Sequence, residues 1–449
     1  MRRLVIGSFL IFACTKAPSG TPHTTPYVED GMLHEPDGRV LTLRGANLAN
    51  AHKGPPYFGF HTADDFVRLR RDLGMNSIRL LMTWAAIEPQ RGVYDTAYID
   101  ALRQRLDWAA NAGLRVVLDM HQDLYGEGFG GDGAPRWTCD EARYAAFKPA
   151  TPWYLGNLDA NLVACTDGFY GSADLQEHFL GAWKAVASRV ADHPAVLGFD
   201  VLNEPYWGSR SMLGYEADLL QPLYERIVPA VRAYAPSWIA FLEPGASRNI
   251  GIPTKLVPFP FANVVYAPHA YDADAESGKP FDAAHQQQFV AMIAALRHEA
   301  DALGAALWIG EYGGNADDPS ITPYMTAAHD GFDASVAGSA YWSYDRGGGY
   351  SMLASDGGEK PLLWNAIARP YAELVAGKPI AASFDAASRA FTFTWEAGDG
   401  LTEIVTPHRT YPNGVDVTCD GCTAAAANER VLASANARGA KVTAIVRAR

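Results

Sequence analysis

The chain has 449 residues, 48% of them hydrophobic and 19% charged, with a net charge of −13; this is a globular composition with room for one large domain and a small one. Lys and Arg form no basic stripe able to neutralise a phosphate backbone, which excludes nucleic acid as a partner. The acidic balance implies solubility and names no partner by itself.

At the N-terminus, Arg2 and Arg3 precede an apolar run over residues 4–13 that ends in Ala13-Cys14. The run is too short to cross a bilayer and reads as a signal-peptide core. A small residue before Cys14 resembles a bacterial lipoprotein cleavage site. Residues 1–25 are therefore expected to be the leader and tether of an exported bacterial chain, secreted or held to a membrane through lipidated Cys14. Cys139, Cys165, Cys419 and Cys422 remain, an even number that predicts disulfides in an exported chain. Cys139–Cys165 would pin a long loop and Cys419–Cys422 a tight turn. Cys419-Asp-Gly-Cys422 also has the form of half a zinc site, but no second ligand pair lies nearby.

From residue 40, short apolar runs at 40–44, 77–81, 115–119, 197–202, 239–242, 264–267, 306–310 and 338–342 read as strands. Between them, residues 63–73, 99–112, 175–191, 219–234 and 286–303 carry helical patterns. Eight strands alternating with helices predict an α/β protein, a closed (β/α)8 TIM barrel over residues 26–376. Gly74, Gly113 and Gly304 stand where helices turn into strands. No glycine-rich phosphate loop follows the first strand, which argues against dinucleotide binding. Beyond residue 376, residues 390–395 alternate with period two, and 401–406, 415–418 and 441–446 read as short strands. They predict a C-terminal β-sandwich over 377–449.

A TIM barrel gathers its active site at the C-terminal ends of its strands. Polar residues stand where the apolar runs stop: Arg79 on the second, Asp119, His121 and Asp123 on the third, and Asn203-Glu204-Pro205 on the fourth. His269 and Tyr271 follow on the sixth, Glu311 on the seventh and Trp342 on the eighth. Two carboxylates on different strands suit glycoside hydrolysis, in which one donates a proton to the leaving oxygen and the other attacks the anomeric carbon. Arg79 and Tyr271 would hold Glu311 ionised, Trp342 would stack on a sugar, and Asn203 would reach its 2-hydroxyl. Taken singly, Asn-Glu-Pro occurs in ordinary turns, His121 could be a core histidine and Arg79 a structural ion pair; the ordered set points to an active site. Asp119, His121 and Asp123 raise a metal centre as runner-up, but the first strand lacks the histidine pair that barrel metallohydrolases use there.

These strand-end segments resemble glycoside hydrolase family 5 across nearly the whole barrel. The matching segments are Leu43-Arg44-Gly-Ala-Asn47, Asn76-Ser-Ile-Arg79, Asp119-Met-His121, Asn203-Glu204-Pro205, Pro268-His269-Ala-Tyr271, Gly310-Glu311-Tyr-Gly and Tyr341-Trp342-Ser343. The resemblance implies Glu204 as acid/base and Glu311 as nucleophile of a retaining β-glycosidase that uses no cofactor or metal. Within the family, Asp119-Met-His-Gln-Asp-Leu-Tyr125, Gly131-Asp-Gly-Ala-Pro135, Tyr341-Trp-Ser-Tyr344 and the C-terminal β-sandwich are most similar to the bacterial endoglycoceramidases. That likeness implies a glycolipid or oligosaccharide substrate with a ceramide-like aglycone, and Asp123 and Lys53 as contacts to the sugar at the cleavage site. A monomer is expected. The apolar side of the cleft is expected from Trp207, Met212, Leu213, Tyr215 and Tyr350. Three further readings stay open: a glucanase or mannanase acting on polysaccharide, a β-glucosidase for another hydrophobic aglycone, and a carbohydrate-binding protein on an inactive barrel.

Overall fold

A computed structural model describes residues 23–449; the expected leader, with Arg2, Arg3 and Cys14, lies outside the described residues. Eight parallel strands close into a barrel in chain order: Arg44–Leu48, Ser77–Thr83, Arg115–His121, Val196–Asp200, Ile239–Leu242, Val264–Tyr266, Ala306–Tyr312 and Gly338–Tyr341. The helices around it bury their apolar faces on the strands. In helix Ala63–Leu73, Phe66, Leu69 and Leu73 face inward, the i, i+3, i+7 spacing of one helical face. That helix stops at Gly74, whose φ of 70° is left-handed backbone that glycine adopts without a Cβ penalty.

The first strand differs from the sequence reading. Val40–Leu41 is a separate two-residue strand outside the barrel, and the barrel strand starts where the reading ended it, at Arg44. The apolar run straddles two cores. Val40 packs among Phe391, Trp395 and Val442, whereas Leu41 and Leu43 join Val117, Phe241 and Trp308, and Ala46 and Leu48 pack against the surrounding helices. The third and seventh strands run on to His121 and Tyr312, so His121 and Glu311 sit within strands rather than after them.

Two antiparallel sheets form the β-sandwich. The larger takes Tyr27–Glu29, Met32–His34 and Val40–Leu41 from before the barrel, then Tyr371–Val375, Thr402–Val405, Arg430–Ala435 and Cys422–Ala427 from after it. The smaller takes Gly377–Asp385, Ala390–Ala397, Lys441–Ala448 and Val415–Asp420. The alternation read at 390–395 is the burial pattern: Phe391, Phe393 and Trp395 point inward. Cys419 and Cys422 are bonded across the turn that joins the two sheets. Cys139 and Cys165 are bonded too, with Cα atoms 5.7 Å apart. They close the long segment after the third strand, which carries helices Glu141–Ala146 and Trp153–Leu158 and the start of helix Ala160–Gly171.

Candidate active site

Arg79, from the second strand, lies wholly buried under the centre of the barrel mouth. Its guanidinium contacts Asp119 at 2.9 Å, Asp200 at 3.0 Å, and Glu243 and Glu311 at 2.8 Å each. It also donates to the side-chain oxygens of Asn203 (2.9 Å) and Asn47 (3.2 Å). Burial opposes its charge, but the four carboxylates outweigh that cost and raise its pKa. Burial together with Glu243 raises the Asp200 pKa well above the ordinary carboxylate range. Arg79 thus fixes Glu311 and Asn203 from below and does not itself face the cleft.

Above it, Glu204 and Glu311 face each other. One oxygen of each, with a ring nitrogen of His269, lie within 4.8 Å of one another. Tyr271 donates to Glu311 Oε2 at 2.8 Å, and Arg79 holds Oε1. His269 Nδ1 lies 2.8 Å from Glu204 Oε1 and 3.5 Å from Glu311 Oε2, while Nε2 lies 3.2 Å from Glu243. Burial works against a charged His269, but Glu243 and Glu311 overcome it and push its pKa well up. The Glu204 backbone has a positive φ of 40°, rare for a residue with a Cβ. Glu243 Oε2 accepts from the Glu204 amide at 2.8 Å, and Gln122 donates to the Asn203 and Glu204 carbonyls. This local strain is held where the carboxyl must be aimed. Asn249 Nδ2 donates to Glu204 Oε1 at 2.7 Å.

A second polar group lies beside this pair. His121 is bonded to Asp119 at 2.8 Å and stacks on the Trp342 ring, with centroids 5.3 Å apart. Lys53 lies over the same ring, 4.8 Å from its centroid, is bonded to Asp123 and sits 3.7 Å from Asp132. Burial lowers the charge preference of His121, yet Asp119 prevails and pushes its pKa up to about 10. Burial and the neighbouring Asp123 push Asp132 up to about 7 against the pull of Lys53. Donor atoms of His121, Asp123 and Asp132 come close enough to hold a metal ion, but the Lys53 ammonium already balances these carboxylates. Arg79 and His269 do the same for Glu204 and Glu311.

Glu204 opens onto a cleft of about 620 Å³ that Lys53 and Trp342 do not line, walled by Trp153, Tyr154, Tyr206, Ile250 and Met292 together with the polar Arg248, Asp272, Glu276 and His285. Burial, then Glu204 and Glu311, push the Glu276 carboxyl up to about 7. The apolar wall is not the one expected from sequence. Tyr215 is fully buried and donates to the Pro205 carbonyl at 2.7 Å, so it is core. Trp207 stacks on Tyr206 outside the lining, Tyr350 is bonded to the Ala275 carbonyl, and Met212 and Leu213 point to solvent. All ten residues expected at the site do converge on this end of the barrel. Sequence reasoning missed Asp200, Glu243, Asp132, Asn249 and Glu276. Glu243 had a signal, since it ends the fifth apolar run in Leu242-Glu243-Pro244. Asn249 and Glu276 lie in the short helices Ala246–Ile250 and Ala273–Glu276, with none.

Residues 35–348 match the family described as Cellulase (glycosyl hydrolase family 5), and residues 369–446 match the Glycoside hydrolase family 5 C-terminal domain. The chain belongs to glycoside hydrolase family 5. It is 30% identical over 428 residues to endoglycoceramidase I of Rhodococcus hoagii, covering 89% of this chain and 83% of that one. A 248-residue stretch is 32% identical to a glucosylceramidase of Rhizopus delemar, covering 41% of this chain and 35% of that one. Among solved structures, endo-glycoceramidase II from Rhodococcus sp. in its ganglioside GM3 complex superposes with a TM-score of 0.82 at 29% identity, covering 95% of this chain and 100% of that one. This chain thus carries both parts of the family match, a closed parallel barrel followed by a C-terminal sheet domain.

Proposed function

We propose that this glycoside hydrolase cleaves the β-bond between a sugar and a ceramide-like lipid by double displacement, with Glu311 as nucleophile and Glu204 as acid/base. The observation that carries the mechanism is the approach of a Glu204 and a Glu311 oxygen to within 4.8 Å. Retaining enzymes space their carboxyls roughly 5–5.5 Å apart, and inverting ones leave roughly 6.5–9.5 Å for a water. Arg79 and Tyr271 keep Glu311 ionised and aimed at the anomeric carbon. Glu204 protonates the leaving oxygen, then takes a proton from the water that releases the sugar from Glu311. Lys53, Asp123, His121 and Trp342 form the sugar side, where Trp342 offers a face for stacking and Asn203 a group for the 2-hydroxyl.

An acid faces the group it protonates, so the cleft beyond Glu204 takes the aglycone. Its aromatic and aliphatic wall, and the likeness to endoglycoceramidases along the whole chain, favour a lipid there. In keeping with that substrate, residues 1–25 act as export leader and tether, and 26–376 and 377–449 as catalytic barrel and sandwich, with the strands at 27–41 and 371–375 completing the sandwich's larger sheet. The test is kcat/KM for one sugar carrying alkyl aglycones of increasing length, beside glycosphingolipids and β-glucan. Burial is worth about 0.8 kcal/mol per CH2, so kcat/KM rises with each methylene the cleft shelters. A flat series with β-glucan cleaved fastest defeats the lipid reading, and an inverted anomer in the product defeats the mechanism.

A further inference from the structure

Loops after the third and fifth barrel strands, over residues 147–158 and 249–257, line the aglycone end of the cleft, the loop 207–214 follows Tyr206 of its wall, and the segment 271–277 after the sixth strand lines it too. Apolar side chains that a soluble surface would bury point outward from the first three. Leu158, Leu213 and Ile250 are 59%, 63% and 67% exposed, and Leu155 is 43% exposed. The rim is continuous with the cleft, because Trp153 and Tyr154 on the same short helix as Leu155 and Leu158 line its wall. Asn157 of that helix lines one cavity with Tyr206, which stacks on Trp207 at the root of the loop 207–214. Unlike the segment that brings Asp272 and Glu276 to the same cleft, these three carry a charge opposite to that of the molecule. In a chain of net −13, these three segments contain no Asp or Glu. They carry Lys148, Arg210 and Lys255, all exposed.

Large exposed apolar patches mark a docking surface. Trp, Tyr and Leu ringed by Lys and Arg are what the headgroup zone of an anionic bilayer accepts, the rings and aliphatic chains entering and the cations meeting phosphate. A protein partner would need shape complementarity that nothing here defines, and a polysaccharide has no anionic charge for three cations. We infer that this rim docks the enzyme onto anionic phospholipid membranes, holding the aglycone mouth against the bilayer so that a lipid can pass into the cleft without crossing water. Docking is a separate property from the proposed substrate, since phospholipid alone suffices for it.

The experiment measures co-sedimentation of Glu311→Gln protein with vesicles of phosphatidylcholine alone and of phosphatidylcholine with phosphatidylglycerol, both free of glycolipid. Cys14→Ser is included throughout so that no acyl chain anchors the protein. The comparison is with a Leu155→Glu, Leu158→Glu, Leu213→Glu triple variant, none of whose positions lines the cleft. The expected result is at least about tenfold stronger partitioning onto the phosphatidylglycerol vesicles, lost in the triple variant. With Glu311 restored, that variant keeps its turnover of a soluble aryl glycoside, which shows that it is folded, and loses turnover of vesicle-borne glycolipid. Equal partitioning of both proteins, no preference for anionic vesicles, or self-association through this face in place of vesicle binding overturns the inference. Failure of glycolipid turnover with vesicle binding intact counts against the substrate reading alone.

Discussion

Glu204 and Glu311 have unlike surroundings, and this sets what their removal does. Glu311 is held by a buried guanidinium and a phenol, whereas Glu204 stands at the cleft with His269 and Asn249 on one oxygen. Glu311→Gln is expected to fold normally and lose turnover, because an amide is a poor nucleophile. Glu204→Ala is expected to slow natural substrates by roughly 10²–10⁴-fold while sparing aryl glycosides whose leaving group needs no proton. Azide should then rescue the second variant by attacking the glycosyl-enzyme; rescue of neither, with ordinary turnover in Glu311→Gln, would reverse the assignment. Asp132 gives a pH effect whose sign follows from its environment. Burial and Asp123 raise its folded pKa from 3.8 to about 7, and one of its oxygens has no hydrogen-bond partner. Between those values the folded state holds a proton that the unfolded state has released, so stability falls as pH rises from about 4 to 7. Asp132→Asn stays neutral throughout and should exceed wild type in stability at pH 8, with the gap closing towards pH 4. Urea midpoints across that range measure it, and a gap equal at both ends would sink the idea.

Among the elements, the strand-end residues were legible because period and position together give their side. A polar residue that ends an apolar run in a barrel faces the mouth, and Asn203, Glu204, His269 and Glu311 all do, with Arg79 buried beneath them. What surrounds them was less legible. Asp200 sits inside an apolar run, and only the closing of the barrel sets it beside Arg79 with Asp119 and Glu243. Apolar character alone also misled: Tyr215 in a loop looks like a cleft residue, but a buried carbonyl of Pro205 claims its hydroxyl. The loops that build the aglycone wall carry no periodicity, so their contribution had to come from structure. One of them is pinned by Cys139–Cys165, which spans 26 residues and encloses the helix bearing Trp153 and Tyr154. A loop of that length is stabilised by about 3.5 kcal/mol in the chain-entropy model. The Cys139→Ser, Cys165→Ser variant should therefore show a higher KM for glycolipid, several-fold or more, with kcat on a small aryl glycoside unchanged. A change of both parameters on the aryl substrate would mean that the disulfide supports the catalytic carboxylates rather than the cleft wall.

On the scale of the whole molecule, the two sheets of the sandwich are not an appendage hung on a finished barrel. The larger sheet begins with strands that precede the first barrel strand and ends with strands from the C-terminus, and Leu41 and Val40 pair with Leu374 and Val375 between them. One apolar core contains Val40, Val375, Phe391, Trp395, Ile404, Val431 and Val442. Glu373, almost fully buried, is paired with Arg70 of a barrel helix at 3.1 Å and with Arg430 of the sandwich at 2.9 Å. A cut after residue 376 would expose Val40 and Val375, leave Tyr371–Val375 without its neighbour Thr402–Val405, and remove Arg430 from the buried Glu373 carboxylate. Glu373 keeps Arg70, so this loss is smaller than the roughly 3–5 kcal/mol of a buried charge left alone, and the exposed apolar area adds to it. Single domains are stable by only about 5–15 kcal/mol, so these losses consume a large share of what holds the barrel folded. The truncated chain is expected to be recovered largely as aggregate, and the intact chain to unfold in a single calorimetric transition with both parts melting together. Two separate transitions in the intact protein, or a soluble 26–376 fragment with full aryl-glycosidase activity, would show instead that the barrel stands without the sandwich.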